Sequence, residues 1–225
     1  MGVGEVKEQE SYRERIARRA AQEVADGMII NLGIGIPTLV ADFIPSDKRV
    51  FFHAENGILG TGPSPAKGEE NAMLCNAGGF PVTLATGASF FDSATAFAII
   101  RRGLLDMTIL GVLEVSQTGD IANWIVPGKR VPGMGGAMEL AQKANRVMVV
   151  TTHLDKNGRS KIVRECSLPL TARNAAHMII TDMAVMEVRP DGLYLVEVMY
   201  PYSVADVIGA TEAELKIDGD VGVFQ

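Results

Sequence analysis

Two stretches, residues 107–115 (MTILGVLEV) and 146–152 (RVMVVTT), are apolar almost without interruption. A strand with one wet face alternates apolar and polar residues, whereas a strand covered on both faces need not. Such runs therefore point to interior strands of a sheet with helices on either side. Residues 28–30 and 50–52 are shorter runs of the same kind, each leading into glycine-rich sequence. Helical patterns lie between them. Ser11 and Glu14 fit a capping box; Ile16, Ala17, Ala20, Ala21 and Val24 follow at helical spacing, and Gly27 supplies the stop. Residues 89–102 read as a second helix, with Phe90, Phe91, Ala94, Phe97, Ala98 and Ile100 placed for burial. Further helices are expected after Gly136 through Ala144, over 171–178, and from Ser203 through Ile208. Strands are expected at 80–85, 161–166, 185–188 and 194–198, with 60–77 as an irregular surface connection. The expectation is a three-layer α/β/α sandwich with a mostly parallel open sheet. No linker or repeat divides the 225 residues, so residues 1–225 read as one domain, with 1–10 and 218–225 as flexible tails.

The net charge of −6 gives no basic field for nucleic acid or an acidic membrane surface. The longest apolar region, residues 28–44, contains Asn31, Pro37, Asp42 and two glycines, which rules it out as a bilayer span. The polar, acidic start of the chain is unlike a secretory signal, and Val6 stands where myristoylation wants Ser or Thr. A cytoplasmic location is the expectation. Cys75 and Cys166 are far apart, and so are His53, His153 and His177. Neither a disulfide framework nor a metal site is expected.

Three glycine-containing stretches stand out. Residues 31–38 (NLGIGIPT) place a glycine turn after a strand, with Pro37 suited to the first position of a helix. That layout can bind anions. Thr38, however, occupies the place of the third glycine of a dinucleotide fingerprint, and no P-loop occurs. Residues 54–63 (AENGILGTGP) put a carboxylate, Glu55, at a strand tip with glycines two, five and seven positions on. Such a carboxylate is either a solvated loop residue or one kept bare to meet a substrate. Residues 133–138 (GMGGAM) form a glycine loop feeding a helix, with free amides at its start.

Taken with residues 119–129 (GDIANWIVPGK), these stretches resemble the B (beta) subunit of the 3-oxoacid CoA-transferases, over nearly the whole chain from Ser11 to Ile217. The family's Glu-x-Gly-x-x-Gly signature falls on Glu55, Gly57 and Gly60, so the resemblance implies Glu55 as the nucleophile. The GMGGA loop implies backbone amides of Gly135, Gly136 and Ala137 at the thioester. Asn31, Gly33 and Gly35 are implied beside the same centre and the CoA arm, with Asn56, Gly57, Gly60, Asn123 and Lys129 as further CoA or substrate contacts. Asn31 and Asn123 also have a plainer reading as turn residues, Trp124 as a core or interface anchor, and Lys129 and Arg130 as solvated surface charges. Two departures stand out. Ala54 replaces a Ser often found before the Glu, and Gly79 stands where some relatives carry a basic residue.

The resemblance further implies a ping-pong transfer through a glutamyl-CoA thioester, with coenzyme A as co-substrate and no permanent cofactor or metal. The family's A subunit is implied as a separate partner, in A/B heterodimers and larger assemblies. A sugar-phosphate isomerase of similar architecture and a non-catalytic homologue are the rival readings. The first leaves the pairing of the Glu motif with GMGGAM unexplained, and the intact Glu55 speaks against the second.

Overall fold

The computed structural model describes residues 11–128 and 133–225. It opens with α1 (Tyr12–Ala21), whose capping box between Ser11 and Glu14 forms as the sequence predicts. β1 (Ile29–Leu32) leads through Gly35 into the short α2 (Ile36–Leu39), with Pro37 in its first turn. Next come β2 (Phe51–Ala54), β3 (Ile58–Thr61), β4 (Leu84–Phe90), α3 (Ser93–Arg101), β5 (Met107–Gly111), β6 (Glu114–Ser116) and β7 (Ile121–Ala122). The second half carries α4 (Ala137–Lys143), β8 (Arg146–Val150), β9 (Ile162–Val163), β10 (Met178–Ile180), β11 (Ala184–Arg189), β12 (Gly192–Met199), α5 (Val204–Ala210), β13 (Leu215–Lys216) and β14 (Gly222–Phe224).

Among the described residues eleven strands form one sheet, ordered β13-β12-β11-β10-β8-β5-β1-β2-β3-β4, with β14 also paired to β12. The inner pairs β10–β8, β8–β5, β5–β1 and β1–β2 are parallel. Antiparallel strands flank them on both sides. β6, β7 and β9 make a separate three-stranded sheet. Alternate residues of the inner strands enter two different cores. Val147, Val149 and Ile179 pack with Ile100 of α3, Leu140 of α4 and Val207 of α5. Met148, Val150, Met178 and Ile180 pack with Ile16, Ala17 and Ala20 of α1. Both faces of the sheet are thus dry, which is why these strands read as unbroken apolar runs.

Four local expectations are corrected. Residues 84–90 are strand, because Ser89 and Phe90 pair with Leu59 and Ile58 of β3. The helix starts later, at the cap Asp92, whose side chain accepts from the Thr95 N–H. Phe90, Ala94 and Ala98 are consequently exposed. Residues 60 and 61, read as the start of an irregular connection, belong to β3. Residues 171–177 are irregular rather than helical; the Ala175 and Ala176 N–H groups donate to the Gly119 carbonyl, and β10 follows. At the C-terminus, read as a tail, Gly222–Phe224 pair with β12 and Phe224 is buried.

Candidate active site

From β1 the chain moves to β2 on one side, while β5 lies on the other. In an open α/β sheet a crevice forms beyond the carboxyl ends of the strands at such a reversal. A cleft of about 930 Å³ occupies this place, and Glu55, Gly133, Met134, Gly135, Gly136 and Ala137 share its wall.

Glu55 sits in a tight turn directly after β2, where the Gly57 N–H donates to the Ala54 carbonyl at 3.0 Å. Gly57 has φ +114°, and a Cβ there would fall 2.0 Å from the Phe91 carbonyl oxygen. Gly60 has φ +92° and packs against Ala88 of β4. Neither lines the cleft. These two glycines let the β2–β3 turn lie flat against the next strand, and that fixes where Glu55 projects.

The carboxyl group forms no ion pair among the described residues. Burial pushes its pKa above the ordinary carboxylate value, opposed by its own backbone N–H and by the Asn31 amide. Asn31 is fully buried. Its Nδ2 donates to the His53 carbonyl at 3.0 Å, and its Oδ1 accepts from Thr108 Oγ1 at 3.2 Å. Thr108 therefore sets which end of the amide faces Glu55, across the β5–β1–β2 reversal.

The glycine loop reaches the same carboxylate. A Cβ on Gly136 would lie 3.3 Å from Glu55 Oε1 and 3.2 Å from the Phe97 ring, so only a bare backbone fits between them. Among the described residues, the Gly135 and Gly136 N–H groups donate to no protein acceptor, whereas the Ala137 N–H reaches the Met134 carbonyl at 3.3 Å. Arg101 of α3 and Glu139 of α4 pair at 3.1 Å and help hold the loop's helix in place.

The other predicted residues divide. Gly33 and Gly35 line the cleft; the Gly33 N–H donates to the Ile109 carbonyl at 2.8 Å, and Gly35 has φ +96°. Asn56 and Asn123 also line it, but their amides are engaged. Asn56 Nδ2 donates to the Cys75 carbonyl at 2.7 Å. Asn123 Nδ2 donates to the Gly111 carbonyl at 3.2 Å, while its Oδ1 accepts from Thr171 Oγ1 at 2.7 Å. Trp124 Nε1 donates to the Leu170 carbonyl at 3.3 Å, a structural anchor. Lys129 and Arg130 lie outside the described residues. No metal-ligating group of side chains occurs among the described residues, nor is any helix long and apolar enough to cross a membrane.

Two neighbours were not singled out from sequence. Phe97, which touches the glycine loop, read only as core. His53 lies in β2, two residues before Glu55; it lines the cleft and stacks on Phe91 with centroids 6.1 Å apart. Both ring nitrogens are buried with no hydrogen-bond partner. Burial lowers its pKa, opposed by the nearby Ala96 backbone, so the ring is neutral at pH 7.

A family model described as "Coenzyme A transferase" matches residues 13–210. A probable coenzyme A transferase beta subunit of Bacillus subtilis (strain 168) is 56% identical over 218 residues, 97% of this chain and 98% of the relative. One subunit of a succinyl-CoA:3-ketoacid coenzyme A transferase of Helicobacter pylori (strain ATCC 700392 / 26695) is 49% identical over 205 residues, covering 91% and 99%. The fold is shared with a crystal structure of an acyl-CoA transferase apoenzyme from Escherichia coli O157:H7, with a TM-score of 0.75 at 21% identity. That match covers 97% of this chain but 44% of the other, so this chain spans less than half of that enzyme's length.

Proposed function

The chain belongs to the coenzyme A transferase family, and on that premise we propose that it is the nucleophile-bearing subunit, moving CoA from an acyl-CoA to a 3-oxoacid or other short carboxylate through Glu55. A Glu55 oxygen attacks the thioester carbonyl carbon. The C–S bond breaks, leaving an acyl-glutamyl anhydride and CoA thiolate. The thiolate then attacks the Glu55 carbonyl carbon and expels the first acid as its carboxylate, so that a glutamyl-CoA thioester remains. The incoming carboxylate attacks that carbonyl and releases thiolate, which in turn takes the new acyl group and frees Glu55. Every bond made is matched by one broken, and Glu55 ends as it began.

The observation that carries this reading is the close approach of the Gly136 backbone to an unpaired Glu55 carboxylate inside the cleft. A thiol of pKa about 8.5 leaves as an anion near neutral pH, so departure needs no general acid. The attack does need donors aimed at the tetrahedral oxyanion, each worth about 3–4 kcal/mol where measured. The unengaged Gly135 and Gly136 amides fit that role, and so does the Ala137 amide if its long bond to Met134 opens. Desolvation of Glu55 makes the ionised carboxylate a stronger nucleophile, while the Asn31 amide limits the rise in its pKa.

A separate A subunit is proposed as the partner, in A/B pairs that assemble further. Its support is that relatives similar over nearly their full length are named as one subunit of a transferase rather than as a whole enzyme. Ile34 and Phe80, 67% and 53% exposed on the cleft wall, give such a partner an apolar seat.

The test is made on the co-purified pair. Glu55→Ala should abolish transfer with the fold intact. Glu55→Asp should lose at least ~10²-fold, the cost of a misplacement of about 1 Å. Incubation with acetoacetyl-CoA should leave a borohydride-sensitive CoA adduct on the Glu55 peptide. Near-normal transfer by either variant, or an adduct on another peptide, overturns the assignment.

A further inference from the structure

A second groove, of about 400 Å³, opens beside the main cleft and shares Arg13, Ile34, Gly111 and Asn123 with it. Its floor is the carboxyl ends of β5 and β8. Among the described residues no carboxylate lines it, but two cations do, Arg13 and Lys161. Lys161 is half-buried and held in place. Its Nζ donates to Thr152 Oγ1 at 2.7 Å and to Thr151 Oγ1 at 3.2 Å. Those hydroxyls are themselves fixed, because Thr151 donates to the Val112 carbonyl at 3.2 Å and Thr152 to the Leu154 carbonyl at 2.9 Å.

An ammonium has three donors, and two are spent on neutral oxygens here. Lys161 forms no ion pair among the described residues. Asp182 and Asp155 act on it only at a distance, and burial draws its pKa down. Arg13, exposed on the first turn of α1, likewise forms no ion pair among the described residues. A partly desolvated cation without a counter-ion costs free energy. One that is also pinned by two anchored hydroxyls and faces a groove continuous with the Glu55 cleft is organised for an anion that arrives with the substrate.

We propose that Lys161, assisted by Arg13, forms a subsite for an anionic group remote from the reacting carbonyl: an oxyanion, either a second carboxylate on the acyl chain or a phosphate of the CoA. This rests on the transferase reading above. The subsite would favour substrates that carry such a group by a charge-assisted hydrogen bond.

Lys161→Gln keeps a hydrogen-bonding side chain and removes the charge. In the co-purified pair, KM would be measured for succinate, which has a remote carboxylate, and for acetate, which lacks one. The same is done for acetyl-CoA and for acetyl-pantetheine, which lacks phosphate. A carboxylate ligand predicts a rise of about 10-fold for succinate alone. A phosphate ligand predicts that rise for acetyl-CoA but not acetyl-pantetheine. In either case kcat stays within about twofold, as for lost uniform binding. Arg13→Gln, at an exposed position, should move the same arm by a smaller factor and serves as the readout if Lys161→Gln does not fold. Unchanged KM values in every arm, or equal changes in all arms with lowered thermal stability, overturn the proposal and leave Lys161 as a staple for residues 151–152. The Glu55 adduct is measured in the same samples. Its formation with flat KM values refutes the subsite alone, and its absence in the unaltered pair refutes the transferase mechanism itself.

Discussion

Replacing Gly136 by alanine inserts one methyl group between the two halves of the candidate site. Built on this backbone, the methyl carbon stands 3.2 Å from two Phe97 ring carbons and 3.3 Å from Glu55 Oε1. Carbon contacts settle near 3.5–4.0 Å, so relief requires a few tenths of an ångström from the loop or the carboxylate. The residue has φ −81°, which alanine adopts freely, so the perturbation is steric rather than conformational. A misplacement of about 1 Å costs ~10²-fold in rate, and loss of one oxyanion donor ~10²–10³-fold. A shift of a third that size, shared between the loop and the Glu55 carboxylate, should lower kcat roughly 10-fold or more, with a stability loss of about 1 kcal/mol from overpacking. Gly135→Ala is the control for stability only. Its φ is +56° and its Cβ would meet nothing within 4 Å, so it should cost about 1–2 kcal/mol of stability through left-handed strain without crowding Glu55. The assay is steady-state transfer by the proposed A/B pair beside a thermal melt of each variant. A Gly136→Ala enzyme with kcat close to that of the unaltered pair would mean that this backbone does not confine the proposed nucleophile, and the reasoning would fall.

Gly57→Ala should fail differently. Its Cβ would collide with the Phe91 carbonyl oxygen at 2.0 Å with φ at +114°, so a loss of roughly 3 kcal/mol or more is expected; denaturant melts would show it, and unchanged stability would disprove the packing described for the β2–β3 turn. His153 supplies a pH prediction. It is fully buried, with Nδ1 on Thr181 Oγ1 at 3.0 Å and Nε2 on Thr211 Oγ1 at 2.9 Å, and burial lowers its pKa to about 4. The folded state therefore takes up this proton less readily than the unfolded chain, whose value is 6.5. Stability from this residue is complete above pH 6.5 and falls as the pH drops towards 4, by roughly 3 kcal/mol in all. Melts of the unaltered chain and His153→Gln should diverge in their pH dependence across that window, and parallel curves would remove His153 as the cause.

The helix read at residues 89–102 shows how local and distant contacts competed. Its C-terminal half is helix as read, but Ser89 and Phe90 have another use: β3 offers them hydrogen-bond partners, and the helix begins instead at the next good cap, Asp92. The error at 171–178 has the same origin. Ala172, Ala175 and Ala176 are all buried, spaced as on one face of a helix, yet their burial comes from contacts with Gly119 and Ile121. In both places the residue pattern reported burial correctly and assigned it to the wrong backbone.

The site divides along the same line. The sequence alone determined the buried parallel strands, because a strand dry on both faces has no polar period to hide, and it determined Glu55 and the glycine loops as the groups to watch. Only the tertiary structure decided that Gly136, 81 residues further on, stops within a methyl's width of that carboxylate. It also decided that the Asn31 amide reaches the carboxylate without lining the cleft, and that Lys161, which forms no ion pair among the described residues, lines the adjoining groove. Composition and spacing record what each residue contributes to its own element. Where the crossovers of a sheet bring the tips of distant strands together is a property of the whole chain, set when the two cores close on either face of it.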